Sequence, residues 1–106
     1  VHATFSEVGG LRTGAPVVIA GVEVGRVTRI SLEDYAARVR LHLQRDVKLP
    51  KGSIAAVKTR GLIGEKYIAI SPGGALENIE AGGEIRETQP AIDLESLIAK
   101  YAFGEV

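Results

Sequence analysis

Few side chains in this sequence have the type and spacing that catalysis or metal binding requires. His2 and His42 lie far apart on the polar positions of alternating segments, with no carboxylate at metal-ligand spacing. We therefore interpret both as solvent-exposed surface histidines. The pair Glu33-Asp34 follows a strand-like segment, where it is more typical of a turn than of a general acid and base. The sequence predicts no catalytic residue, no metal ligand and no cofactor.

The glycine-rich segment at residues 9–14 superficially resembles a phosphate-binding loop. It lacks the glycine spacing of such loops, a following helix and the Lys-Ser/Thr pair of a Walker motif, so we interpret it as a turn. A Gly-x-Ser-x-Gly nucleophile motif is also absent from the sequence. These patterns favour a protein that is not an enzyme.

Two large apolar residues, Leu62 and Ile63, stand between Gly61 and Gly64 in a connection between two strand-like segments. Exposing both to water would forfeit about 1.5–3 kcal/mol of transfer free energy for each side chain. Such a loop is useful where several copies of a chain gather around an axis, or where an apolar ligand binds.

Composition limits the classes of protein that this chain can belong to. With 106 residues, 45% hydrophobic and 25% charged, it has the size and character of one soluble domain. Thirteen basic residues balance thirteen acidic ones, so the chain has no overall charge with which to bind nucleic acid. It contains neither Cys nor Met, and the lack of an initiator Met predicts a piece of a longer product, in which a membrane segment could precede Val1.

Short strand-like segments, separated by Gly, Pro or charged residues, recur through residues 1–90. This pattern predicts an all-β fold, a β-barrel of about seven strands. The predicted core consists of apolar residues in these segments, among them Phe5, Val17, Ile19, Val39, Leu41 and Leu43.

Ala20-Gly21 has the length of a two-residue hairpin turn, in which Gly can supply a positive φ. In the strand-like segment that follows, the apolar residues switch from alternate positions of one face to those of the other near Gly25. A β-bulge at that glycine would direct three valines into the core, namely Val22, Val24 and Val27.

Helical periodicity occurs once, after Pro90. Asp93 has the residue type of an N-cap, and the apolar residues that follow at helical spacing are Leu94, Leu97, Ile98 and Tyr101. A helix this short is not stable alone in water, so its apolar face must pack, either on its own barrel or on copies of itself around a ring. The sequence thus predicts a barrel domain at residues 1–90 and a C-terminal amphipathic helix, involved in oligomer packing, at residues 91–106.

Several segments, in the expected order, resemble the mammalian cell entry (MCE) domain family. Residues 59–70 are similar to the central signature of that family. Residues 5–11 and 14–17 resemble its opening, and residues 19–27 resemble its first hairpin. Residues 93–98 resemble the helix that follows the barrel in the single-domain, lipid-transport type of the family.

The resemblance implies a seven-stranded MCE barrel that assembles as a homo-hexameric ring. In that family the apolar loop lines a central pore through which lipid passes, and the matching positions here are Leu62 and Ile63. The implied function is that of a binding or conduit subunit in a bacterial ABC-type phospholipid transport system, with permease and ATPase partners. The implied location is the periplasm, at the inner membrane, through an N-terminal anchor missing from this chain.

Two other classes fit parts of the pattern. The loop at residues 61–64 could form a carboxylate-binding nest like those of PDZ peptide-binding modules, although such modules need an internal helix. The valine-rich hairpin at residues 17–30 is also typical of periplasmic adaptor barrels of the membrane-fusion type, which carry a long coiled-coil insertion. All three classes are binding or conduit proteins.

Overall fold

Eight β-strands make up the described part of the chain. The computed structural model describes residues 1–61 and 64–91, and within these ranges it contains no helix. The strands are β1 (His2–Phe5), β2 (Pro16–Ile19), β3 (Val22–Glu33), β4 (Ala36–Leu43), β5 (Ile54–Thr59), β6 (Lys66–Ser71), β7 (Glu84–Ile85) and β8 (Glu87–Gln89). Within the described ranges, no helix has the length and apolar character that crossing a membrane requires.

The strands form one sheet in the order β7-β1-β4-β3-β2-β6-β5-β8, and the two ends of that order meet. Only Arg86 separates β7 from β8; β7 pairs in parallel with β1, whereas β8 pairs in parallel with β5. The Thr88 hydroxyl also donates a 2.8 Å hydrogen bond to the Thr4 carbonyl across this junction. The predicted all-β barrel is therefore confirmed, with its last strand divided into two short ones.

Side chains that alternate along the strands fill the barrel. In β4, for example, Val39 and Leu41 are buried, whereas Arg40 and His42 are exposed. Of the predicted core residues, four are buried and two, Ile19 and Leu43, are partly buried against the core. The buried core consists of Ala3, Phe5, Leu11, Val17, Val27, Val39, Leu41, Leu49, Ala55, Val57, Ile68, Ile70 and Ile85. Each large side chain among them contributes about 1.5–3 kcal/mol through burial.

Two-residue turns connect the hairpins β2–β3 and β3–β4. Ala20 and Gly21 both have positive φ, at 53° and 80°, as a type I′ turn requires. Asp34 and Tyr35 likewise have φ of 51° and 62° between the paired residues Glu33 and Ala36. The turn predicted at Glu33-Asp34 is present but lies one residue later, at Asp34 and Tyr35, because Glu33 is still paired in β3.

The bulge predicted at Gly25 is displaced by one residue. Val17 pairs with Gly25 and Val18 pairs with Glu23, which leaves Val24 as the extra residue of β3. Val27 is buried and Val24 is partly buried against the core. The prediction is wrong for Val22, which is 64% exposed, because it adjoins the turn at the end of the hairpin.

Candidate functional site

The hairpin formed by β5 and β6 carries the predicted loop. Its strands stay in register from Ile54 opposite Ser71 to Thr59 opposite Lys66. One further hydrogen bond, from the Arg60 amide to the Glu65 carbonyl, is 3.1 Å long. The two strands are therefore hydrogen-bonded up to the four-residue connection at residues 61–64.

Local backbone geometry explains why glycine occupies both end positions of this connection, Gly61 and Gly64. Gly61 has a φ of 68°, a region that L-residues rarely adopt. A Cβ on Gly64 would overlap the carbonyl oxygen of Arg60. The narrow base of the loop thus depends on glycine at both positions. Leu62 and Ile63 lie outside the described residues, and their assignment as pore-lining residues stays a prediction.

Polar contacts brace the base of the hairpin, which we call the neck and define as Thr59, Arg60, Glu65, Lys66 and Tyr67. The ammonium of Lys66 donates a 2.6 Å hydrogen bond to the Thr59 hydroxyl across the two strands. The Arg60 guanidinium carbon lies 5.6 Å from the centroid of the Tyr67 ring, within the range of a cation–π interaction. These contacts hold β5 and β6 together at the base of the loop.

Beside the neck, a surface cleft of about 700 Å³ opens against the loop between β1 and β2. That loop contains two tight turns. The Leu11 amide donates a 3.1 Å hydrogen bond to the Val8 carbonyl, and the Ala15 amide donates one of the same length to the Arg12 carbonyl. The interpretation of residues 9–14 as a turn is confirmed. Basic side chains outnumber acidic ones around the cleft, with Arg12, Arg26, Arg60 and Lys66 against Glu23 and Glu65.

The end of the described chain lies at the same end of the barrel as the neck. The Ala91 amide donates a 3.2 Å hydrogen bond to the Glu7 carbonyl. A Cβ on Gly9 would lie 2.8 Å from the Cβ of Ala91 and 3.7 Å from the Cε of Lys66. Ala91 therefore packs on Gly9, next to the neck. The predicted helix, with Leu94, Leu97, Ile98 and Tyr101, lies outside the described residues.

The two histidines differ in their surroundings. His42 is exposed, as predicted, but His2 is half-buried and its Nδ1 atom is buried, with no hydrogen-bond partner in the described part of the chain. The prediction of a solvated surface histidine is wrong for His2, because β1 lies between two strands that place Arg40 of β4 on one side of it and Glu84 of β7 on the other. In residues 1–61 and 64–91, no three His, Asp or Glu side chains are grouped as metal ligands would be.

One feature of the outer surface has no counterpart in the local sequence patterns. Arg29 of β3 lies directly opposite Arg40 of β4, which lies directly opposite His2 of β1. Arg40 is exposed because it alternates with the buried residues Val39 and Leu41 along β4. No local pattern indicated which residues of the other two strands would lie beside it.

Comparisons with known proteins agree with this architecture. The family model described as MlaD protein matches residues 1–73. The intermembrane phospholipid transport system binding protein MlaD of Haemophilus influenzae is 37% identical over 98% of this chain, and its Escherichia coli K12 counterpart is 38% identical over 98%. The chain spans 66% and 61% of the lengths of these two relatives.

A solved structure extends the agreement to three dimensions. A chain of the Acinetobacter MlaFEDB complex, in its ATP-bound Vtrans1 conformation, superposes with a TM-score of 0.87 at 26% identity. The match covers 95% of this chain and 79% of that chain. The sequence match and the shared barrel lead to one conclusion: this chain belongs to the MlaD protein family, which confirms the membership of the mammalian cell entry domain family predicted from its sequence.

Proposed function

We propose that this chain is the lipid-binding or conduit subunit of a bacterial ABC-type phospholipid transport system. The observation that carries the proposal is the match of 37–38% identity, over 98% of the chain, to proteins named as binding proteins of intermembrane phospholipid transport. The similarity to a chain of the MlaFEDB complex supports partnership with a permease and an ATPase. Family membership decides against the two alternatives, the PDZ-like module and the adaptor barrel.

Within this function, Leu62 and Ile63 line a hydrophobic path for acyl chains. The geometry of the neck supports this role, because β5 and β6 are held together up to Gly61 and Gly64, the residues that flank the apolar pair. Each methylene of an acyl chain costs about 0.8 kcal/mol to expose to water, so a whole chain faces a barrier on the order of 10 kcal/mol. An apolar path removes most of that barrier.

The path requires several copies of the chain, and we propose a closed homo-hexameric ring. The neck and Ala91 lie at the same end of the barrel, so the apolar tip and the C-terminal segment both start there. Contacts between neighbouring copies, related by rotation, would close such a ring. The apolar face predicted for residues 93–101 would then pack against its copies near the ring axis.

The domain performs no chemical step in this proposal. Binding and passage of lipid need an apolar surface, and the partner ATPase supplies the energy for transport between the inner and outer membranes. The proposed location is the periplasmic side of the inner membrane, where such a system maintains the lipid asymmetry of the outer membrane.

Native mass spectrometry of the purified protein tests the proposal. We expect a six-copy mass, and phospholipid in an organic extract of the same sample. A lipid-free monomer at high concentration would overturn the ring and the conduit together. A lipid-free hexamer would overturn only the lipid-binding role.

A further inference from the structure

The outer face of the barrel carries a row of basic side chains on three neighbouring strands. His2 of β1, Arg40 of β4 and Arg29 of β3 lie directly opposite one another in the sheet. Like charges in directly opposed positions destabilise a sheet. Among residues 1–61 and 64–91, neither Arg29 nor Arg40 forms a salt bridge with a carboxylate. The fold therefore brings two arginines together without neutralising them.

A β-bulge puts Arg29 into this row. Val27 pairs with Leu41 and Arg29 pairs with Arg40, so Thr28 is the extra residue of β3. In a regular strand, Arg29 would share the face of Val27, which is buried in the core. The bulge instead turns Arg29 outward, beside Arg40. Bulges of this kind often re-aim a side chain at a functional site.

Two carboxylates border the row, Glu84 directly opposite His2 on β7 and Glu33 in the same cleft, and both are paired with a different arginine. Arg38 binds Glu84 through a 2.7 Å contact and Glu33 through a 3.8 Å contact. Since both acids face Arg38, the positive charge of Arg29 and Arg40 stays available to an external anion.

The row also borders a small cleft. This cleft has a volume of about 200 Å³ and is lined by His2, Arg29, Ser31, Glu33, Arg38 and Arg40. The Nδ1 atom of His2 is buried and, within the described residues, makes no hydrogen bond. A buried polar atom without a partner is destabilising, and a bound ligand that reaches it would remove that penalty.

We propose that Arg29, Arg40 and His2 form a binding site for a phosphate oxyanion. A phosphate group between the two guanidinium groups would replace their repulsion with charge-assisted hydrogen bonds, for which the planar fork of arginine is suited. The phosphate belongs either to a free inorganic ion or to the headgroup of an anionic phospholipid. The site lies on β1, β3 and β4, away from the β5–β6 hairpin, so it is separate from the proposed acyl path.

Titration of the full chain with sodium phosphate at constant ionic strength tests the site. We expect saturable NMR shifts of the Arg29 and Arg40 side chains and of His2, and no comparable shifts with sodium chloride. Arg29→Gln and Arg40→Gln should each weaken phosphate binding at least tenfold, because each substitution removes at least one charge-assisted hydrogen bond to the phosphate. Lys58→Gln removes the same charge from an exposed position on β5 and should leave the affinity unchanged.

Vesicle flotation separates the two sources of phosphate. A lipid headgroup is the ligand if the unmodified protein binds phosphatidylglycerol vesicles but not phosphatidylcholine vesicles, and if Arg29→Gln and Arg40→Gln each abolish that binding. Saturable binding of phosphate without vesicle binding would identify the free ion. Shifts that do not saturate, or equal affinity in all three variants, would overturn the site. None of these outcomes depends on whether the protein forms a ring or carries acyl chains.

Discussion

Gly64 lies so close to the carbonyl oxygen of Arg60 that no side chain fits between them. This contact sits where the paired strands β5 and β6 give way to the tip at residues 61–64. Glycine at this position is therefore required for the close approach of the chain at the base of the loop.

Replacing this glycine should destabilise the hairpin. For Gly64→Ala we expect a loss of about 1–3 kcal/mol in the free energy of unfolding, because the neck must open to admit the methyl group. Urea denaturation measures the loss. Gly74→Ala is the matched control, since a Cβ at that position has no neighbour within 4 Å and its φ is not positive. Equal stability of the two variants would show that the neck is not constrained by Gly64.

The apolar character of the loop should matter more than its shape. Replacing Leu62 and Ile63 with Val or Met should be tolerated, because volume and polarity change little. Replacing both with Asp should leave the barrel folded but place a ring of charge around the path and raise the barrier to acyl chains by several kcal/mol. Complementation of a deletion strain under detergent stress measures transport. A double Asp variant that forms rings and fully restores resistance would refute the conduit role of this loop.

The contact between Gly9 and Ala91 should influence assembly. Gly9→Ala adds a methyl group 2.8 Å from the Ala91 Cβ and should displace the chain where it leaves the barrel. We expect a clear reduction in the hexamer fraction by native mass spectrometry. Gly10→Ala is an informative control, because Gly10 also has a positive φ, of 95°, but a Cβ there has no neighbour within 4 Å. If both variants assemble equally well, the direction of the chain after Ala91 is not important for the ring.

Ala20 occupies a position in the β2–β3 turn that favours glycine. Its φ of 53° is disfavoured for a residue with a Cβ by about 1 kcal/mol, so Ala20→Gly should stabilise the barrel by up to about that amount. Thermal unfolding would show a higher midpoint. Ala75→Gly, in an exposed loop where φ is not positive, should leave the midpoint unchanged or lower it. A lower midpoint for Ala20→Gly would contradict the assigned turn.

Local patterns in the sequence were enough to predict much of the fold. Alternation along β4 identified Val39 and Leu41 as buried and Arg40 and His42 as exposed, because side chains on a strand point to opposite faces in turn. The dipeptide Ala20-Gly21 marked a turn, and the residues around Gly61 and Gly64 carried the family resemblance. These properties depend on residues close together in the chain.

Other properties depend on which strands meet, and only the tertiary structure decided them. The last strand divides at Arg86 because it must pair with β1 on one side and β5 on the other. The bulges at Val24 and Thr28 arise where β3 meets its two partners with different registers. Pairing across three strands then brings His2, Arg40 and Arg29 together although they are distant in sequence. The register between strands is set by packing over the whole barrel, so no local pattern could reveal that row.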